Sequence, residues 1–412
     1  MNATPARFAL VVGDWFDGET RRGPATLKVA DGCLVGVAEG DHGAALAEQG
    51  WPLTRGAFLM PGLVDAHVHL FLDGKPTEQA VRSAHLKQGL EALTEAARAS
   101  ARQNLACGVT LVRDAGDRHG INNRVRDEAR AVGSGLAQVR SGGLGVKRAR
   151  RYGAFMATDV DDEASIRASV AQLAQANDEI KLILTGIIDF DAGAVTDEPQ
   201  FSAEAAGVVV QAAHAAGRKV LAHCSGVKGL DVAVAAGVDS IEHGFFMSRD
   251  HLARMRDRQL AWVPTFCPVH FQWAQPQAVG WSPNTVGNLR RILDAHAEHL
   301  RIARELGVRV LVGTDAGSMG VEHGLAMFDE IDRFIEAGWP LQSVLAAATS
   351  VARRHFDAEH VTLTLGAAFD AVLLSASPWD DAQALRQPRQ VWARGAAVIT
   401  ADALRASRTP DA

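Results

Sequence analysis

The sequence predicts an α/β protein: a closed (β/α)8 barrel of the TIM type, with a small β-sandwich domain built from both chain ends. Three observations predict it. From residue 60 onward, short β-like runs alternate with long Ala-rich helical stretches, the pattern of βα units around a parallel sheet. Eight such runs can be counted, the number that closes a barrel. Before residue 60 and after about residue 355, the chain instead alternates in the manner of strands. An open doubly wound sheet would need a Gly-rich phosphate turn after its first strand, and none is present there.

In chain order, "ATLKVADGCLVGVAEG" (25–40) places Asp31-Gly32 between two apolar runs, a strong hairpin signal. The eight barrel runs are "GLVDAHVHL" (62–70), "GVTLVRDAG" (108–116), "LAQVRSGG" (136–143), "EIKLILTG" (179–186), "RKVLAHCS" (218–225), "DSIEHG" (239–244), "LAWVPTF" (260–266) and "VRVLVGTDAG" (308–317). Helical stretches at 78–106, 163–178, 202–216 and 284–306 separate several of them. "VTLTLGAAFDAVLLSA" (361–376) and "PRQVWARGAAVIT" (388–400) return to strand-like alternation. Residues 1–59 plus 356–412 are therefore expected to form the small β domain, and residues 60–355 the barrel.

Composition narrows the function. Of 412 residues, 47% are hydrophobic and 22% charged, as in an ordinary soluble globular protein. A net charge of −6 argues against a nucleic-acid or anionic-membrane partner. No stretch approaches the roughly 20 apolar residues of a membrane span. The N-terminus reaches acidic and turn residues too soon for a signal peptide. Cys33, Cys107, Cys224 and Cys267 lack CxxC spacing, which disfavours a disulfide framework or zinc knuckle. The expectation is a cytoplasmic enzyme with reduced thiols that acts on a small molecule.

Polar residues at the C-terminal ends of barrel strands face the active-site mouth. His67 and His69 close the first run, and Lys181 lies in the fourth. His223 ends the fifth, His243 the sixth and Asp315 the eighth. Singly, each has a structural reading: a hydrogen-bonded core histidine, a snorkelling lysine, a turn-forming aspartate. Together they would leave six polar groups at one end of a barrel, each costing on the order of 1–3 kcal/mol if unpaired. A shared metal cluster removes those costs at once. Imidazole and carboxylate ligands suit divalent zinc, manganese or cobalt. His67 and His69 would bind one ion with Asp315, and His223 and His243 a second. Two ions about 3.5–4 Å apart need an anionic bridge. A lysine ammonium cannot serve, but a Lys181 carboxylated by carbon dioxide can.

With these residues in place, the chain resembles the amidohydrolase superfamily, closest to its metal-dependent prolidase-like and imidazolonepropionase-like branch. "FLMPGLVDAHVHL", "GVTLVRDAG", "IKLILTG", "QFS" (200–202), "GVDSIEHG", "GTDAG" and "LTLGAAFDAVLL" fall in the family's order over nearly the whole chain. The resemblance implies a binuclear centre, most readily of Zn2+, ligated by His67, His69, carboxylated Lys181, His223, His243 and Asp315. It also implies hydrolysis by a metal-bridging hydroxide, with Asp315 as catalytic proton shuttle, and a homo-oligomer. The implied reaction is cleavage of an amide, N-acyl or carbamate bond.

Two positions depart from the prolidase-like pattern. Leu144 stands where a GGHG-type turn would place a histidine, and Ser225 where a substrate-binding tyrosine often follows the fifth-strand histidine. Replacement contacts are expected from the basic loop 145–155, through Arg148 and Tyr152. The aromatic stretch 266–281, through His270 and Trp273, is expected to wall an aromatic substrate, and His323 to reach the site after the eighth strand. The alternative enzyme is a mononuclear ring-opening hydrolase of cyclic amides or a deaminase. Gly226 occupies the position where such deaminases carry a glutamate, which disfavours deamination. A catalytically silent scaffold would be expected to have lost ligands, and all six are present.

Overall fold

The computed structural model describes residues 7–398 and Thr400. Each of the eight barrel runs contains a strand: β1 (Leu63–Val68), β2 (Val109–Asp114), β3 (Gln138–Ser141), β4 (Glu179–Ile183), β5 (Lys219–Cys224), β6 (Ser240–His243), β7 (Ala261–Val263) and β8 (Arg309–Val310). Neighbours pair in parallel within two sheets, β1–β2–β3 and β4 through β8. Of the predicted helices, 163–178 is realised as Glu163–Leu173, 202–216 as Ala203–Ala215 and 284–306 as Pro283–Leu306. Side chains of Asp162, Ser202 and Ser282 cap their first turns, as N-terminal hydroxyl and carboxylate caps do. The predicted helix 78–106 is two, Gln79–Leu86 and Leu90–Ala106, broken just before Gly89. None of the described helices is long and apolar enough to cross a membrane.

The expected single closed sheet is interrupted at two seams. Between β3 and β4 one backbone bond remains, from Asp178 N–H to the Ser141 carbonyl (2.9 Å). There the chain inserts the short strands Gly145–Lys147 and Ala157–Asp159, and the first takes the free edge of β4 at Leu182. Gly145 permits this approach, because a Cβ there would lie 2.8 Å from the Lys181 carbonyl oxygen and 2.9 Å from its Cβ. Between β8 and β1 the backbone is irregular but bonded. Ala66 N–H donates to Val312 O (2.9 Å), Asp315 N–H to His67 O (2.7 Å) and His69 N–H to Ala316 O (2.8 Å).

Strands from both chain ends form a separate, eight-stranded mixed sheet. Its seam is the strand Leu53–Pro61, parallel to Arg7–Phe16 and antiparallel to Ala371–Leu374. The hairpin at 25–39 turns at Asp31 (φ +49°) and Gly32 (φ +78°), as the Asp-Gly pair requires. The expected β-sandwich takes the form of this one continuous sheet, with a core that includes Phe8, Leu27, Leu34, Phe369 and Trp392. Strand-like alternation at 361–370 does not form a strand, and the predicted strand 388–400 is two, Pro388–Ala393 and Ala396–Val398. Residues 1–6, 399 and 401–412 of the expected small domain lie outside the described residues.

Arg113 of β2 is fully buried between the strands. Its guanidinium donates to Glu179 of β4 (3.1 Å), Glu242 of β6 (2.7 Å), Ser240 Oγ (3.0 Å) and the Ala66 carbonyl (2.7 Å). Three alternate strands can meet around one side chain only across an enclosed interior, which is the layering of a barrel. Removing one member of such a network strands the others as unpaired buried charges. Arg113→Met is therefore expected to destabilise the protein by about 3–5 kcal/mol. A loss below about 1 kcal/mol in unfolding free energy from chemical denaturation would show that this layer does not support the fold.

Candidate metal centre

The six predicted ligands converge at the C-terminal ends of the strands. Asp315 Oδ1 lies 3.7 Å from His67 Nε2 and 3.6 Å from His69 Nε2. Within one such group, all three ligand atoms lie within 4.8 Å of one another. His223 Nδ1 and His243 Nε2 approach to 2.8 Å, and the His67 and His243 rings are 5.0 Å apart. Lys181, buried in β4, senses the charges of Glu242 and Asp315.

The outer nitrogen of each imidazole is committed, and this determines what the inner nitrogen can do. His67 Nδ1–H donates to the Glu242 carboxylate (2.6 Å). His69 Nδ1–H donates to the Gly116 carbonyl (3.1 Å), and His223 Nε2–H reaches the Gly186 carbonyl (3.4 Å). Thr265 Oγ1 donates to the Pro264 carbonyl (2.8 Å), so it accepts from His243 Nδ1–H (2.8 Å). Four lone pairs then face inward, and His67 Nε2 is buried with no hydrogen-bond partner. With both outer N–H groups bonded, the facing nitrogens of His223 and His243 present two lone pairs 2.8 Å apart and need a cation between them; without one, His223 Nδ1–H donates to His243 Nε2. A cation is the group that satisfies all four at once, and oriented outer N–H groups are the usual support of metal-binding histidine. The donor set fits a divalent metal.

Electrostatics keep these rings ready to ligate. Burial, reinforced by Lys181, holds His69 and His223 down to about 3, and burial pushes His67 and His243 well below the ordinary range. Burial likewise raises Asp315 to about 7 and lowers Lys181 to about 8.

Strain marks the same spot. Among the described residues, three of the nine non-glycine positive-φ residues are His243 (+68°), Thr265 (+51°) and Asp315 (+55°), each just at or beyond a strand end. Such conformations cost on the order of 1–3 kcal/mol and concentrate at functional sites. Local bonds hold them: Asp65 accepts from Thr314 N–H (3.0 Å) and Thr314 Oγ1 (2.6 Å), and Ser318 Oγ donates to Asp315 Oδ2 (3.0 Å). On the other side of His69, Asp114 accepts from Leu70 N–H and Gly116 N–H (both 2.9 Å). Glu242, Thr265, Asp65, Asp114 and Ser318 escape the reading by strand ends. Their signal was a charged or hydroxyl residue inside an otherwise apolar run, as in "SIEHG" and "VPTF".

A cavity of about 230 Å3 opens over His69, His223, His243 and Asp315. Of the predicted substrate contacts, Tyr152 lines it, its ring 5.4 Å from His223. The other four do not. Arg148 donates to the Val160 carbonyl (3.0 Å) and lies over Phe201, 4.6 Å from the ring centre. His323 bonds the Leu72 carbonyl (3.1 Å), supporting the segment behind His69. His270 and Trp273 miss because the stretch expected to be a loop is a helix, Phe266–Ala274. Its period turns Pro268, Val269 and Gln272 to the cavity. His270 and Phe271 face a separate cleft of about 430 Å3, lined by none of the six ligands, where Arg333 contacts His270 (2.8 Å). Trp273 lies under Arg290.

The family model described as Amidohydrolase family matches residues 58–398. An uncharacterized protein of Mycobacterium bovis is 31% identical over 302 residues, 73% of this chain and 74% of the relative. Ochratoxinase of Aspergillus niger is 24% identical over 405 residues, covering 91% of this chain and 82% of its own. Among solved structures, a Xaa-Pro dipeptidase with bound methionine in its active site aligns with a TM-score of 0.80 at 24% identity. That alignment covers 95% of this chain and 99% of the dipeptidase.

The Thr265–His243 bond can be tested apart from turnover. Thr265→Val keeps the shape and removes the acceptor, so metal affinity should fall about 10- to 100-fold by competitive chelator titration, while Thr265→Ser stays near wild type. Equal affinity in all three proteins would rule out this role.

Proposed function

The chain belongs to the amidohydrolase family, and on that premise we propose that it is a metal-dependent hydrolase. In this reading it cleaves the carbon–nitrogen bond of an amide, N-acyl compound or carbamate of small size. The observation that carries the reading is the gathering of His67 and His69 on Asp315, with the His223–His243 pair beside His67, under one cavity. His67, His69 and Asp315 would hold one divalent ion, and His223 and His243 a second, with zinc the best match to the donors. Lys181, carboxylated, would supply the anion between them. Residues 60–355 form the catalytic unit of this proposal, with 1–59 and 356–412 as the accompanying β domain.

When bound, the ions polarise the scissile carbonyl and make water a stronger acid. The chain's own groups do the rest. Ser318 holds Asp315 Oδ2, leaving Oδ1 turned toward the two histidines. Asp315 accepts the proton of the attacking water and returns it to the leaving nitrogen as the C–N bond breaks. Tyr152 and the apolar wall keep bulk water from the reacting bond.

One observation favours a second reading. Among the described residues, the single compact three-ligand group is His67, His69 and Asp315, which alone would serve a mononuclear ring-opening hydrolase or deaminase. Elemental analysis of protein purified without chelator separates the two: about two metal equivalents per chain support the bridged centre, and about one supports the mononuclear enzyme. For the bridged centre, Lys181→Ala should lose most of one equivalent and its activity, with partial rescue by short carboxylates. Unchanged metal and turnover in that variant would exclude the carboxylated lysine. Asp315→Asn should lower kcat by on the order of 10²–10⁴-fold and retain metal better than turnover; matched losses would make Asp315 a ligand alone.

A further inference from the structure

Resting on the hydrolase reading above, we infer that the substrate is a small uncharged amide or carbamate with an apolar, aryl-sized group, carrying no carboxylate beside the scissile bond. The inference comes from what the cavity contains. Beyond the metal-ligand candidates its wall is apolar, with Phe155, Met156, Ile188, Phe190 and Phe245 among its residues, and Tyr152 is the only phenol. Among the described residues, no lysine or arginine lines it. Asp315, its one carboxylate, adds negative charge.

Three of the four cations of the loop 145–155 are spent elsewhere, and the fourth, Arg150, is exposed and does not line the cavity. Lys147 pairs with Asp159 (2.5 Å). Arg148 is held by the Val160 carbonyl and Phe201, and Arg151 donates to the Glu198 carbonyl. None of these cations lines the cavity, so the loop 145–155 meets it through Tyr152 and Phe155 instead. The neutral hydrogen-bonding groups are largely occupied as well: Thr265 by His243 and Pro264, Ser318 by Asp315, and Gln272 by Trp281 (3.1 Å). Ser225 and Tyr152 remain to position an uncharged polar atom. Away from the ions, a substrate carboxylate placed against this wall would lose its hydration without gaining a side-chain counter-charge. An aryl group would instead bury its surface favourably. About 230 Å3 suits one ring with a short acyl or carbamoyl arm.

The test uses pairs of equal size that differ in charge beside the scissile bond: N-acetylphenylalaninamide against N-acetylphenylalanine, and the corresponding methyl carbamates, with release of the free amine as the readout. On metal-loaded protein, kcat/KM for the uncharged member should exceed that of the carboxylate by tenfold or more. Ile187, which lines the cavity mouth and is 63% exposed, tolerates a cation. Ile187→Arg should cut the discrimination by about tenfold at unchanged metal content, through the affinity-linked KM. Dissociation constants from calorimetry on the same protein keep the two questions apart. Equal or better use or binding of the carboxylates by wild type overturns the inference, whatever the turnover. Tighter binding of the uncharged members with no hydrolysis of any pair upholds it, and counts against the hydrolase reading instead.

Discussion

A single buried guanidinium organises this molecule. Arg113 has no solvent to hydrate it, so its charge must be met inside the fold, and Glu179 and Glu242 meet it from two other strands. Glu242 then uses its second oxygen to hold the outer nitrogen of His67. The ion network that ties β2, β4 and β6 together is therefore the same network that aims the first metal-ligand candidate. Stability and site geometry are not separable here, because one carboxylate serves both.

The irregular backbone around the site follows from a related need. Regular strands would carry side chains past the mouth at fixed two-residue intervals, which cannot bring His67, His69 and Asp315 onto one point. The chain leaves regular geometry at β6, β7 and beyond β8, in the left-handed turns of His243, Thr265 and Asp315. Buried carboxylates hold these turns: Asp65 grips Thr314, and Glu330 accepts the N–H groups of Phe266 and Cys267 just after Thr265. Burial raises Asp65 to about 7 and Glu330 to about 8, a measure of how much solvation these anchors surrender.

Legibility differed between strand ends and loops for a physical reason. A histidine in an apolar strand stands out because burial of an imidazole needs a partner, and the partners lie on other strands. That logic found His67, His69, Lys181, His223, His243 and Asp315, which the structure brings together. Loops offered no such constraint. Arg148 and His270 have side chains that reach several acceptors equally well from the sequence. Which partner wins depends on neighbours such as the Val160 carbonyl, which accepts from Arg148, and Arg333, which donates to His270. The stretch 266–281 also hid a helix start, since Phe266 and Cys267 N–H groups are satisfied by Glu330, 64 and 63 residues away.

By itself the sequence determined the alternation of strands and helices, the pairing of both chain ends into a β unit, and which polar residues stand out at the strand ends. These follow from local periodicity and from the cost of burying polar groups, and both can be read along one chain. Only the tertiary structure decided which imidazole nitrogen faces inward, which cations are consumed by the protein, and that the cavity wall is apolar and without a positive charge. Those outcomes are set by contacts between residues far apart in sequence, such as Glu242 with His67 and Thr265 with His243. Periodicity carries no information about such contacts.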